Sequence, residues 1–251
     1  MTQTIPESIA ALTLVGGVGN PKDHTACLMS AARILSGEST EADMRADSCA
    51  RVCRVVRRFA IDVNDWRGWL SDAERTRFLM LLAPMLLDTV GDRDLQQRRA
   101  FALADVAVRV FAPISLDSRG DYWERQGNAE RAATLRAGAA SLRGVDQIVD
   151  RASAERARST AADAAYAAYA YAAYADAAYA YAAYADAAYA DAAYAAYAAY
   201  AAYAAYADAA YAYAAYAAYA AYAAADAAAE RRRAAIRDAL VAALVRICEM
   251  R

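Results

Sequence analysis

Four residues have the types and spacing of a metal site. His24 and Cys27 stand three apart, and Cys49 and Cys53 stand four apart. Either spacing puts its pair on one face of a helix, and the two pairs together offer the nitrogen and sulfur ligands of a tetrahedral zinc centre. Tight Cys-x-x-Cys knuckles are missing from the sequence, and cysteine also serves as an ordinary small core residue. His24 is the one histidine of the chain, and its plainer role is a surface residue beside Lys22 and Asp23. Zinc held by His24, Cys27, Cys49 and Cys53 therefore stands as the alternative to a chain with no cofactor.

Two carboxylate groupings lie beside turns, where reactive groups often sit: Asn64-Asp65-Trp66 and Asp92-Arg93-Asp94. No second histidine offers a base, and the sequence has no Gly-rich phosphate cradle and no G-x-S-x-G elbow. Asp65 reads as the end or cap of a helix. Trp66, Trp69 and Trp123 read as core or interdomain anchors. No residue is assigned a catalytic role, and the expectation is a protein that is not an enzyme.

The elements that would position these residues are helices. Residues 1–23 read as a flexible lead-in, with Gly16, Gly17, Gly19 and Pro21 punctuating it. Thr25–Leu35 carries an apolar face at helical spacing, stopped by Ser36-Gly37. A second helix is expected from Ala42 to about Val63, with Cys49, Val52, Cys53, Val56 and Phe59 on one face. Ser71-Asp72-Ala73-Glu74 is a capping box that opens a third helix to about Asp88, which Pro84 should kink or divide. A fourth runs from about Leu95 to Phe111, ended by Ala112-Pro113. Ser118–Asp121 reads as loop, and Tyr122–Ala140 as helix again. Residues 24–143 thus form a compact helical domain.

Beyond Val145 the sequence holds neither Gly nor Pro, and residues 161–229 contain only Ala, Tyr and Asp. Alanine is the best helix former, and tyrosine costs only a few tenths of a kcal/mol more. Unbroken, a helix over 145–251 would reach ~160 Å at about 1.5 Å per residue. Its tyrosines follow spacings of two, three and five, so they wind around every face and make neither an amphipathic stripe nor a heptad seam. Alanine lets helices approach closely, and tyrosine adds rigid contact area with a polar tip. Tyr174, Tyr184, Tyr194, Tyr200 and Tyr206 are taken as interaction residues of this surface. The rival fold for 161–229 is a pentapeptide-like β-solenoid. Ala185-Asp186 and Ala190-Asp191 fit its first two places, but Ala187 and Ala192 are too small for its inward centre.

The charge balance is even, with 28 basic and 30 acidic residues. Such a balance gives no footprint for nucleic acid, and Arg231-Arg232-Arg233 reads as a solubilising end to an acidic helical stretch. Met1–Ala11 lacks the basic and apolar pattern of a signal sequence, and no long bulky apolar run suggests a membrane span. A cytoplasmic location is expected. Four cysteines in 251 residues do not make a disulfide framework.

Cys49-x-x-x-Cys53 leading into Arg58–Asp65, the Leu-rich Pro84 segment before Gly91, Ala104–Pro113 and Asp150-Arg151-Ala152-Ser153 carry a resemblance. With the repeat that follows, the chain resembles a group of uncharacterised proteins of bacteria and phages with a helical N-terminal domain and an alanine-rich tail. The resemblance covers most of the chain and implies no defined activity. The combined expectation is an all-α protein: lead-in 1–23, helical domain 24–143, and a repeat helix over 145–251 with an Arg-rich amphipathic end. Its leading role is structural or protein-interaction, through packing or self-association of the repeat with itself or another protein. A zinc-stabilised regulatory or phage accessory protein acting on a host partner is one alternative. A surface-ordering, ice-type binder is another.

Overall fold

The computed structural model describes residues 6–20, 23–38, 49–66, 68–178 and 230–251, with backbone alone at 165–178 and 230–232. The chain is all-α as expected. Its contacts divide it into two compact units: residues 1–99 with 240–251, and residues 100–239.

In the first unit, helix α1 (Glu7–Ala10) leads into a two-residue strand β1 (Thr13–Leu14), which pairs in parallel with β2 (Thr25–Ala26). The segment expected to be a loose lead-in thus supplies Ile9, Leu12 and Leu14 to the interior. Thr25 and Ala26, read from sequence as helical, are in the strand pair because their backbone groups bond to the β1 strand. Helix α2 (Leu28–Ser36) starts only after them.

Helix α3 (Arg54–Asn64) is shorter than its periodicity predicts. Residues 49–53 are turn and extended backbone, and 42–48 lie outside the described residues. Helix α4 (Asp72–Leu79) opens on Ser71, whose Oγ accepts from the Glu74 N–H at 3.1 Å. Glu74 reaches back one residue further than a capping box requires, accepting from the Leu70 N–H at 2.8 Å. The span to Leu87 is divided as Pro84 predicts: a tight turn at Met80–Leu82 precedes α5 (Ala83–Leu86), and Pro84 sits in its first turn.

Helix α6 (Arg93–Val106) does not stop at Pro113. It passes through a π-helical turn at Ala107–Phe111 into α7 (Ala112–Arg125). A proline inside a helix lacks an N–H and crowds the carbonyl four residues back, and one wide turn relieves both. Ser118–Asp121, expected as loop, is therefore helix. Gly120 serves close packing: a Cβ there would stand 3.2 Å from Arg136 Cγ and 3.3 Å from the Ala132 carbonyl oxygen.

In the second unit α7 packs antiparallel on α8 (Ala129–Arg143), with Arg136 bridging Asp121 at 2.7 Å and also pairing with Glu124. Leu103, Phe111, Leu116, Leu135, Leu142 and Ile148 are buried. Asp105, itself buried, holds the link to α9 by accepting from the Ile148 N–H at 2.9 Å and from Arg109 at 3.1 Å.

Helix α9 (Arg151–Ala178) carries the start of the repeat, so residues 161–178 are helical and not solenoid coils. It is capped by Asp150, which accepts from the Ser153 N–H at 2.8 Å while Ser153 Oγ accepts from the Val149 and Asp150 N–H groups. Helix α10 (Glu230–Glu249) places Ile236, Leu240, Ala243, Leu244 and Ile247 on one buried face. Among the described residues no helix is long and apolar enough to cross a membrane.

Candidate functional site

The cysteines proposed as metal ligands are used by the backbone instead. Cys27 precedes α2 in extended conformation, and its Sγ accepts from the Ser30 N–H at 3.3 Å. Cys53 does the same for α3, its Sγ accepting from the Val56 N–H at 3.4 Å. A polar side-chain atom at the N-cap satisfies a donor that the first turn leaves without a partner. Cys49 Sγ donates to Glu38 Oε1 at 3.3 Å, and the Glu38 carboxylate accepts from the Ala50 N–H at 3.0 Å. That backbone donor holds Glu38 below the ordinary glutamate range, while burial pushes the Cys49 thiol up. His24 stands in the turn before β2 with φ of 50°.

Cys27 and Cys53 are N-caps, and His24 and Cys49 stand outside the helices, so neither pair lies along one helical face. Among the described residues no group of three or more His, Cys, Asp or Glu side chains is placed to hold a metal ion. His24, Cys27, Cys49 and Cys53 do not form such a group.

Cys53 has a second neighbour that spacing does not reveal. Arg99, only 1% exposed, donates from Nη1 to Cys53 Sγ at 3.2 Å and to the Thr89 carbonyl. Its Nη2 donates to the Met250 carbonyl at 2.7 Å. Thr89 completes the network: its Oγ1 accepts from the Cys53 N–H at 3.1 Å and donates to the Leu86 carbonyl at 2.7 Å. One planar guanidinium thus ties the start of α3, the segment at Thr89 and residue 250. Burial pushes the nearby Cys248 thiol up to about 12, so it stays protonated. The guanidinium thereby satisfies the Thr89 and Met250 carbonyls.

Asp62 and Asn64 form another buried polar pair on α3. Asn64 Oδ1 accepts from the Leu28 N–H at 3.1 Å, and its Nδ2 donates to the Val15 carbonyl at 2.8 Å. Asp65 then accepts from the Gly17 N–H at 2.7 Å, so this carboxylate, first read as a helix end, also holds the glycine loop. Burial raises Asp62 to about 7 despite the Arg58 guanidinium 3.0 Å away.

The alanine face that leads into the repeat lies in the second unit. Ala154, Ala157, Ala161 and Ala164 are buried along one face of α9. Their counterpart on α8 includes Gly138, where an added Cβ would stand 3.7 Å from Ala164 Cβ. Small side chains on both helices bring the backbones close. Beside this contact α8 and α9 frame an open cleft of about 550 Å³, bordered by Thr134, Gly138, Ser141, Thr160, Asp163 and Ala164. Its floor is small and its rim carries hydroxyls and one carboxylate. The sequence marked the repeat as a packing element, but the cleft depends on how α8 lies on it.

Of the tyrosines taken as interaction residues, Tyr174 falls within helix α9. Tyr184, Tyr194, Tyr200 and Tyr206 lie outside the described residues. Compared with protein-family models, curated proteins and solved structures, the chain matches none.

Proposed function

We propose that this chain is a non-enzymatic structural or protein-interaction protein whose Ala/Tyr repeat mediates packing and self-association. The observation that supports this reading is the burial of Ala154, Ala157, Ala161 and Ala164 as α9 enters the repeat. The alanine face is a packing surface, and in sequence its register continues through Ala168, Ala172 and Ala175. All tyrosines but Tyr122 belong to the repeat. A long helix displaying that much aromatic surface gains by covering it.

Light scattering on the full chain across a concentration range tests the reading. The expected mass exceeds the 26.9 kDa monomer and rises with concentration. Replacing Tyr174, Tyr184, Tyr194, Tyr200 and Tyr206 together by serine is expected to shift it toward the monomer. A wild-type mass fixed at one chain throughout would sink self-association.

A further inference from the structure

Two buried thiols of the first unit, Cys53 and Cys248, share the surroundings of one guanidinium. Cys53 Sγ accepts from the Val56 N–H at 3.4 Å and from Arg99 Nη1 at 3.2 Å. Two N–H donors aimed at one sulfur, one cationic and one at a helix start, favour that sulfur as a nucleophile. The other end of the same fork, Nη2, holds the Met250 carbonyl at 2.7 Å, two residues after Cys248 in the last turn of α10. Arg99 thus brings the end of α10 to the start of α3. After burial, the strongest influences on the Cys248 thiol are the Arg99 charge and then Cys53. The two remaining cysteines are placed differently. Cys27 Sγ lies 3.2 Å from the Ser30 hydroxyl, and burial together with the Glu38 carboxylate disfavours a charged sulfur at Cys49.

We propose that Cys53 and Cys248 are a redox pair that hydrogen peroxide closes to a disulfide, tying the end of α10 to the start of α3. The Cys53 sulfur attacks one peroxide oxygen, the O–O bond breaks, and the second oxygen leaves as water with the thiol proton. Cys53 then carries a sulfenic acid. The Cys248 sulfur attacks the sulfenic sulfur, an S–S bond forms, and the hydroxyl leaves with the Cys248 proton as a second water. Two thiols are oxidised and one peroxide is reduced to two waters. Peroxide is little larger than water, which suits sulfurs that bulky reagents reach slowly. An external dithiol reverses the bridge by exchange. Closed, it holds the chain from Cys53 to Cys248 in one covalent loop, with the whole repeat inside it. The device needs a single chain and does not depend on self-association.

Peptide mapping of the full chain after brief treatment with hydrogen peroxide, with the remaining thiols alkylated, tests this. The folded wild type is expected to lose two hydrogens, to carry a bridge joining Cys53 to Cys248 within one chain, and to be restored by dithiothreitol. Cys27→Ser with Cys49→Ser should keep the bridge. Cys248→Ser should lose it and leave the sulfenic acid on Cys53, trapped by dimedone. Cys53→Ser should lose both. Circular dichroism checks that each variant keeps its helices, and the wild-type map decides the pairing should a serine variant fail to fold.

A wild type without the bridge, a bridge through Cys27 or Cys49 or between two chains, or a yield as high in urea as in the folded protein would overturn the redox pair. A dimedone adduct on Cys248 in the Cys53→Ser variant would overturn the assignment of Cys53 as the attacking sulfur.

Discussion

A methyl built on Gly138 of α8 would meet the Ala164 methyl of α9 at 3.7 Å, an ordinary contact distance. The helices are therefore close but not jammed at this point. Gly138→Ala is expected to stabilise the protein by roughly 0.5–1 kcal/mol, because alanine costs less backbone entropy in a helix than glycine. Gly120 on α7 is the contrasting case, since its added Cβ would press on the Ala132 carbonyl at 3.3 Å. Gly120→Val should destabilise by about 1–3 kcal/mol. Thermal unfolding of the two variants should move the midpoint in opposite directions.

The Arg99 centre predicts a larger loss. Arg99→Leu removes the donors that satisfy the Thr89 and Met250 carbonyls and Cys53 Sγ. Each buried acceptor left alone costs about 1–3 kcal/mol, so the variant should lose roughly 3 kcal/mol or more in urea unfolding. Arg99→Lys should recover only part of this, because an ammonium lacks the planar fork that reaches separate acceptors. A Lys variant as stable as the wild type would show that charge alone suffices.

Asp62 gives the stability a pH dependence. Burial raises its folded-state value to about 7 from an ordinary 3.8. Between these values the folded state binds the proton more tightly than the unfolded chain does. The Asp62 contribution is therefore most favourable below about pH 4 and is lost as pH rises to about 7. Asp62→Asn, which is neutral throughout, should flatten this slope and raise stability at pH 8 relative to the wild type. Urea midpoints measured from pH 4 to pH 8 would show it, and unchanged slopes would count against the burial of the charge.

Thiol reactivity should report folding. Cys27, Cys49, Cys53 and Cys248 are all buried and unpaired in disulfides. The Cys49 and Cys248 thiols are further held protonated by burial. A chromogenic disulfide reagent at pH 8 should react slowly with the native protein and titrate four thiols after denaturation. Fast reaction of one thiol in the native state would reveal local opening.

The Ser71 cap offers a local control. Ser71→Ala removes the acceptor of the Glu74 N–H and should cost about 1 kcal/mol.

What could be read from the residues in order was set by short-range physics. Alanine and the lack of Gly and Pro after Val145 point to helix, and α9 and α10 are helical. Ser71 and Glu74 announce the start of α4, and Pro84 divides the span after it. The apolar spacing of Ile236, Leu240, Leu244 and Ile247 likewise marks the buried face of α10. Each of these signals acts within a turn or two of the chain. Tertiary contacts decided the rest. Cys53 caps α3 and meets Arg99, forty-six residues away, where spacing alone had suggested a helical partner for Cys49. Pro113 and Gly120 look like breakers until a π-helical turn and the close approach of α8 account for them. Residues 240–251 join the unit built by residues 1–99, a pairing that no local pattern encodes. The cleft beside Asp163 is in the same class. Propensity and capping are properties of neighbours in sequence, whereas burial, close approach and the shape of a groove depend on which distant side chains arrive.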